Sequence, residues 1–146
     1  STLLSFVWLD NKAPLIVDSV IRIQKEMLDY AKTRGRDIRI LFGIPADDIL
    51  TAYESSPLKG TTPVLCELDV DIVRRVNAEV WAPRFTAGTQ DALVAEMQKE
   101  GLQVYVWTLD DEDFIRRYLK ADVFDGILTN YPTLLAAIFY TGQAQP

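Results

Sequence analysis

The sequence predicts an α/β fold: a parallel β/α barrel of TIM type, with six of the eight βα units that a closed barrel needs. Three observations point there. Short apolar segments alternate six times with helix-like ones along the 146 residues, the rhythm of βα units on a parallel sheet. Several of these segments are apolar at nearly every residue, as in strands covered on both faces. Two of them, Tyr105-Val-Trp-Thr-Leu-Asp110 and Asp125-Gly-Ile-Leu-Thr-Asn-Tyr-Pro132, end in polar groups, as strands do at a barrel rim where chemistry sits. A complete barrel takes about 250 residues, so six units leave a gap. An open doubly wound sheet would use the same units, but no Gly-rich phosphate loop follows the first strand.

The elements follow in order. Leu3 to Asp10 is an apolar strand with polar residues at its end. Ile16 to Arg34 is a long helix with Val17, Val20, Ile21, Met27, Leu28 and Ala31 on one side, and Gly35 stops it as a glycine just past a helix does. Asp37 to Pro45 is the second strand and Asp47 to Tyr53 a short helix closed by Ser55, Ser56 and Pro57. Thr62 to Leu68 is the third strand, followed by a helix from Asp69 to Val76 that Asp69 can cap. Glu79 to Phe85 is the fourth strand; Thr89 opens the next helix and Gly101 ends it. Leu102 to Leu109 is the fifth strand, and Asp111 to Lys120 is amphipathic with Phe114, Ile115, Tyr118 and Leu119 inward. Phe124 to Thr129 is the sixth strand, Pro132 starts the last helix in its first turn, and the tail frays from Thr141. Residues 1–146 read as a single domain.

Composition bounds the function. The chain is 49% hydrophobic and 25% charged, ordinary for a globular domain. A net charge of −6 argues against nucleic acid, which needs a basic surface, but not against a small anion in a local cationic pocket. No apolar run is long enough for a transmembrane segment, and no signal-peptide pattern is visible. The chain begins at Ser1 rather than Met, which predicts that sequence precedes it. Cys66 is the one cysteine and reads as a buried structural thiol in an apolar run. Histidine is absent, so this chain by itself has no imidazole chemistry.

The strand ends carry the candidate chemistry. Trp8, Asp10 and Lys12 share one parity. A carboxylate there can ligate a hard divalent cation, and an ammonium can stabilise charge on a phosphoryl group; an exposed Asp-Asn-Lys turn fits the same residues. Tyr105 and Trp107 share a parity near the end of the fifth strand, where they either wall a substrate pocket or fill the core. Asp110 either faces a ligand or caps the next helix. Asn130 either donates its amide to a substrate or holds the Tyr131-Pro132 turn. Arg84, in Trp81-Ala-Pro-Arg-Phe85, suits a phosphate, though an ordinary surface salt bridge is the simpler reading. Glu67 is either a sheet-edge residue or an interior acid. The charges from Asp110 to Asp113 suit a helix N-terminus.

These motifs carry a resemblance. Gly-Leu-Gln-Val-Tyr-Val-Trp-Thr-Leu-Asp110, Asp125-Gly-Ile-Leu-Thr-Asn-Tyr-Pro132 and Trp8-Leu-Asp-Asn-Lys12 match, in order and spacing, the glycerophosphodiester phosphodiesterase superfamily, which includes the sphingomyelinase D-type phospholipase toxins. The chain resembles the C-terminal three-quarters of that domain, over residues 3–139, as strands three to eight, with the first two βα units missing. The resemblance implies that Asp10 is the third carboxylate ligand of a divalent cation, Mg²⁺ or Ca²⁺. It implies that Lys12 is the catalytic lysine on the substrate phosphate, and Trp107 the rim tryptophan on the substrate with Tyr105 beside it. Asp110 and Asn130 resemble polar rim residues of the toxin branch; a common diesterase form has Trp-Thr-x-Asn and Thr-Asp-Tyr-Pro instead.

Nothing in the sequence matches the family's His-Arg motif, its Glu-x-Asp metal pair or its second histidine, and Val123 stands where a glycine is expected. The resemblance therefore implies a metal-assisted phosphodiester hydrolase acting on glycerophosphodiesters, inactive as this chain alone. A small-molecule phosphodiester or a lysophospholipid head group is the implied partner, together with the missing N-terminal barrel segment or a second chain. A sphingomyelinase D-like phospholipase is the alternative within the superfamily. A catalytically dead relative, used for binding or assembly through its exposed barrel edges, is the alternative from another class.

Overall fold

The computed structural model describes residues 6–14 and 17–143. The expected strand start at Leu3, the helix start at Ile16, the inward side chain of Val17 and the last three residues lie outside the described residues. The chain divides into two compact units, residues 1–79 and 80–146.

The first unit runs β1 (Phe6–Leu9), α1 (Val17–Thr33), β2 (Arg39–Ile44), α2 (Asp47–Glu54), β3 (Val64–Cys66) and α3 (Val70–Arg75). β2 lies between β1 and β3, parallel to both, with Leu9 opposite Phe42 and Gly43 opposite Leu65. α1 packs through Met27 and Ala31 onto Leu9, Ile38 and Ile40. Its buried stripe is Val20, Gln24 and Ala31, with Met27 half-buried, whereas Leu28 is 45% exposed. The inward expectation for Leu28 is therefore corrected. The helical repeat places Gln24 inward, and its amide stays paired by donating to Thr62 Oγ1 at 2.8 Å. Gly35 ends α1 as expected: it has φ +63, and the amides of Gly35 and Arg36 donate to the carbonyls of Lys32 and Ala31, a Schellman closure. Asp69 occupies the cap position of α3 but makes no side-chain cap bond. Cys66 is fully buried, and burial pushes its thiol up to about 11, as expected of a structural cysteine.

The second unit runs β4 (Val80–Trp81), a 3-10 turn (Phe85–Ala87), α4 (Asp91–Lys99), β5 (Gln103–Val106), α5 (Glu112–Ala121), β6 (Gly126–Ile127) and α6 (Pro132–Gln143). β5 lies between β4 and β6, parallel to both. The core on one side of β5 is Val106, Leu109, Ile115, Tyr118 and Ile138, joined by Phe124, Leu134 and Leu135. Full burial of one such aliphatic side chain is worth about 1.5–3 kcal/mol. Alternation along β5 then turns Gln103, Tyr105 and Trp107 to the face opposite α5 and α6.

Four expectations are corrected in this unit. α4 is preceded by Gln90 at φ +48 with no side-chain cap bond, so Thr89 is not its cap. α5 is capped by Asp111, which accepts from the amides of Asp113 and Phe114, not by Asp110. Phe114 is 39% exposed; it sits on the first turn, edge-on to Phe85. α6 continues through Thr141 to Gln143, past the expected fraying point. No helix among the described residues is long and apolar enough to cross a membrane.

Candidate functional site

In the first unit the chemistry lies just past β1. Leu9 faces α1, so Trp8 turns to the opposite face. Gly43 on β2 is required beside it, because a Cβ there would run into the Trp8 indole and the Leu9 carbonyl. Asn11 is 2% exposed and donates to the Gly43 carbonyl at 2.8 Å. That bond fixes the chain as it leaves the strand and leaves Asp10 and Lys12 on either side of a buried anchor. Their side chains form an ion pair at 2.8 Å and are 49% and 74% exposed. An exposed pair of this kind adds little stability, so its charges are available for other work. Glu67 follows β3 and is half-buried.

In the second unit the strand ends hold four groups. Trp107 Nε1 donates to the Ala82 carbonyl at 2.6 Å, which locks the indole. The Arg84 guanidinium carbon lies 4.6 Å from the Trp107 ring centroid. Backbone pairing pins these neighbours: Phe85 N donates to Trp107 O at 3.0 Å, and Trp107 N to Pro83 O at 3.3 Å. Arg84 makes no ion pair among the described residues, which corrects the salt-bridge expectation.

Tyr105 shares the face of Trp107 but departs from its expected role. It is 8% exposed, its ring lies where a side chain at position 126 would go, and its hydroxyl donates to Gln103 Oε1 at 2.7 Å. The hydroxyl thus points back along β5, away from the polar end of the strand.

Asp110 and Asn130 are brought together. Asp110 Oδ1 accepts from the Asn130 backbone amide at 2.8 Å and from Thr129 Oγ1 at 3.1 Å; Oδ2 accepts from Asn130 Nδ2 at 2.8 Å. The Asn130 backbone donor, then its side chain, hold the Asp110 carboxyl below the ordinary carboxylate value. Thr129 Oγ1 also accepts from the Tyr131 amide at 3.0 Å. Asp125, at the opposite end of β6, accepts from Val104 N at 2.8 Å and Gln98 Nε2 at 3.1 Å, a structural role.

Grooves also lie away from these strand ends. One of about 580 Å³ is lined by Met27, Tyr30, Ala31, Arg34, Arg36 and Ile38 on the helical side of the first unit. It holds none of the strand-end groups. Among the described residues no group of three or more His, Cys, Asp or Glu side chains could hold a metal ion. The described residues therefore do not assemble a complete divalent-cation site around Asp10.

Comparison with known proteins adds the following. The family model described as glycerophosphoryl diester phosphodiesterase matches residues 60–134, just over half of the chain. A glycerophosphodiester phosphodiesterase from Parabacteroides distasonis is similar with TM-score 0.66 and 17% identity, over 96% of this chain and 58% of that one. One from Thermotoga maritima is similar with TM-score 0.61 and 17% identity, over 97% and 57%. A phosphodiesterase from Oleispira antarctica, solved in complex with the product sn-glycerol-3-phosphate, is similar with TM-score 0.59 and 12% identity, over 78% and 47%. No curated protein matches. The chain spans between about half and three-fifths of the length of these solved structures. At such identities the likeness speaks to the fold: six βα units of a parallel TIM-type barrel, as the sequence predicted.

Proposed function

Because the chain belongs to the glycerophosphoryl diester phosphodiesterase family, we propose that it is the phosphate-binding part of a hydrolase acting on glycerophosphodiesters. The observation that carries this reading is the match over residues 60–134, which takes in Trp107, Asp110 and Asn130. The product seen in the Oleispira relative, sn-glycerol-3-phosphate, defines the ligand class: a phosphoryl group bearing a small polyol.

In this reading the Lys12 ammonium contacts a non-bridging phosphoryl oxygen and offsets the charge that builds on it during displacement. Asp10 orients that ammonium through the 2.8 Å ion pair. Trp107 offers the alcohol portion of the substrate an apolar wall, and Tyr105, buried against Gly126, supports the same face of β5. Asp110 and Asn130 shape the rim. Asp10 would be one ligand of a cation such as Mg²⁺ or Ca²⁺, which when bound would neutralise phosphoryl charge. Among the described residues no group of three or more such ligands is assembled.

The proton transfers and the nucleophile of the family's displacement belong to imidazoles. The chain contains none, so these 146 residues bind the phosphodiester without cleaving it. The test is calorimetric titration of sn-glycerol-3-phosphate onto the chain and onto Lys12→Gln and Asp10→Asn. The expected result is saturable binding that weakens roughly tenfold or more in Lys12→Gln, as loss of one charge-assisted contact does, and less in Asp10→Asn. Equal affinity for the native chain and Lys12→Gln would overturn the role of Lys12.

A further inference from the structure

The geometry points to Arg84 as a phosphate-binding residue in its own right, presented by Trp107 at the ends of β4 and β5. This rests on the phosphodiesterase reading and deepens it, naming a cation for the same ligand class beyond Lys12.

The placement begins in the backbone. Arg84 and Trp107 are paired in a parallel bridge, and paired residues turn their side chains to the same face. That face is opposite the helices that bury Val106 and Leu109. Trp107 cannot swing away, because its Nε1 is committed to the Ala82 carbonyl. The guanidinium lies over the locked ring at 4.6 Å, within cation–π range, an attraction of about 0.5–1 kcal/mol at an exposed site. A long side chain is thus held in place before any ligand arrives, which reduces the ordering cost of binding.

The charge is also unspent. Arg39, Arg74, Arg75 and Arg116 each pair with a carboxylate. Arg84 has its contact with the indole and no acid among the described residues. Asp110, in the same unit, has both oxygens taken up by Thr129 and Asn130. An exposed guanidinium at a strand end, fixed by a ring and with no carboxylate to satisfy it, presents a fork of N–H donors. That fork matches two oxygens of a phosphoryl group. A lysine in the same place would be a point charge without the fork or the stacking.

The experiment follows tryptophan fluorescence while sn-glycerol-3-phosphate, or separately inorganic phosphate, is added at low ionic strength to the native chain, Arg84→Gln, Arg84→Lys and Lys12→Gln. Circular dichroism checks that each variant folds. The expected result is a saturable change in the native chain that is absent from Trp107→Phe. Arg84→Gln weakens binding of both probes roughly tenfold or more, the scale of a hydrogen bond to a charged group, and Arg84→Lys falls between. Unchanged affinity in Arg84→Gln and Arg84→Lys, with loss in Lys12→Gln, would overturn the role of Arg84 and leave the phosphodiesterase reading standing. Loss in Arg84→Gln with none in Lys12→Gln would support Arg84 and count against the role of Lys12. No response in the native chain would overturn both.

Discussion

Asp110 holds Asn130 by both of its carboxylate oxygens, one on the backbone amide and one on the side-chain amide. The pair ties the end of β5 to the segment after β6. It also explains a sequence difference. A common diesterase form of the resemblance has the amide at the first position and the acid at the second, the reverse of this chain. One side-chain hydrogen bond survives that exchange, provided both positions change together. The two differences are thus compatible with one exchange of partners and do not by themselves point to the toxin branch.

The coupling is testable by exchange. Asn130→Asp alone places two carboxylates within hydrogen-bond distance and lowers Tm. The double variant Asp110→Asn with Asn130→Asp restores a donor and an acceptor and recovers most of the loss, as contacting residues in a double-mutant cycle do. Additive effects of the two single changes in thermal unfolding would contradict the pairing.

The same pair sets a pH dependence. The folded Asp110 carboxyl titrates below its ordinary value. Its contribution is complete above the unfolded carboxylate value, about 3.9, and is lost as pH falls through the lowered one. The Asn130 amide proton, followed by NMR, should therefore titrate with a midpoint below that of an ordinary Asp. A midpoint at or above the ordinary value would contradict the bonding.

Gly126 makes room for Tyr105. A Cβ at 126 would lie 2.7 Å from Tyr105 Cδ1 and 3.1 Å from Cε1, and Tyr105 faces it across the parallel pairing of β5 and β6. Gly126→Ala should cost about 1–3 kcal/mol, as overpacking does, read by urea unfolding. Gly142→Ala, with open space around it in α6, should be neutral or stabilising by up to about 1 kcal/mol. Equal effects would contradict the packing.

Cys66 carries the opposite sign of linkage. Its folded value of about 11 lies above the unfolded one, about 8.5. The stabilisation is complete below the unfolded value and lost as pH rises through the folded one. At pH 8 a thiol reagent should react slowly with the native chain and quickly in urea; equal rates would contradict its burial.

Much of the fold was legible because it is written in local chemistry. Apolar runs with helical spacers between them gave all six βα units, and Gly35 and Gly101, both at positive φ, marked helix ends. Caps were less legible. Asp110 and Asp111 are adjacent acids, and only the path of the chain after β6 decides which one faces helix α5 and which one faces Asn130. Leu28, expected inward, is exposed, while Gln24 is buried with its amide paired to Thr62, remote in sequence. At the site, parity correctly put Tyr105 and Trp107 on one face, but the direction of the Tyr105 hydroxyl depends on Gln103. Arg84 read as a salt bridge because its partner is a ring locked from Ala82, a tertiary fact with no sequence pattern.

The most direct test of the central claim is a ³¹P NMR spectrum of glycerophosphocholine with the purified chain and Mg²⁺. The phosphodiester line should broaden with added protein if the proposed site holds the phosphate, and no phosphomonoester line should grow, because the chain has no imidazole. A growing monoester line would contradict the claim that these residues bind without cleaving, and a diester line that stays sharp would contradict the claim that they bind at all.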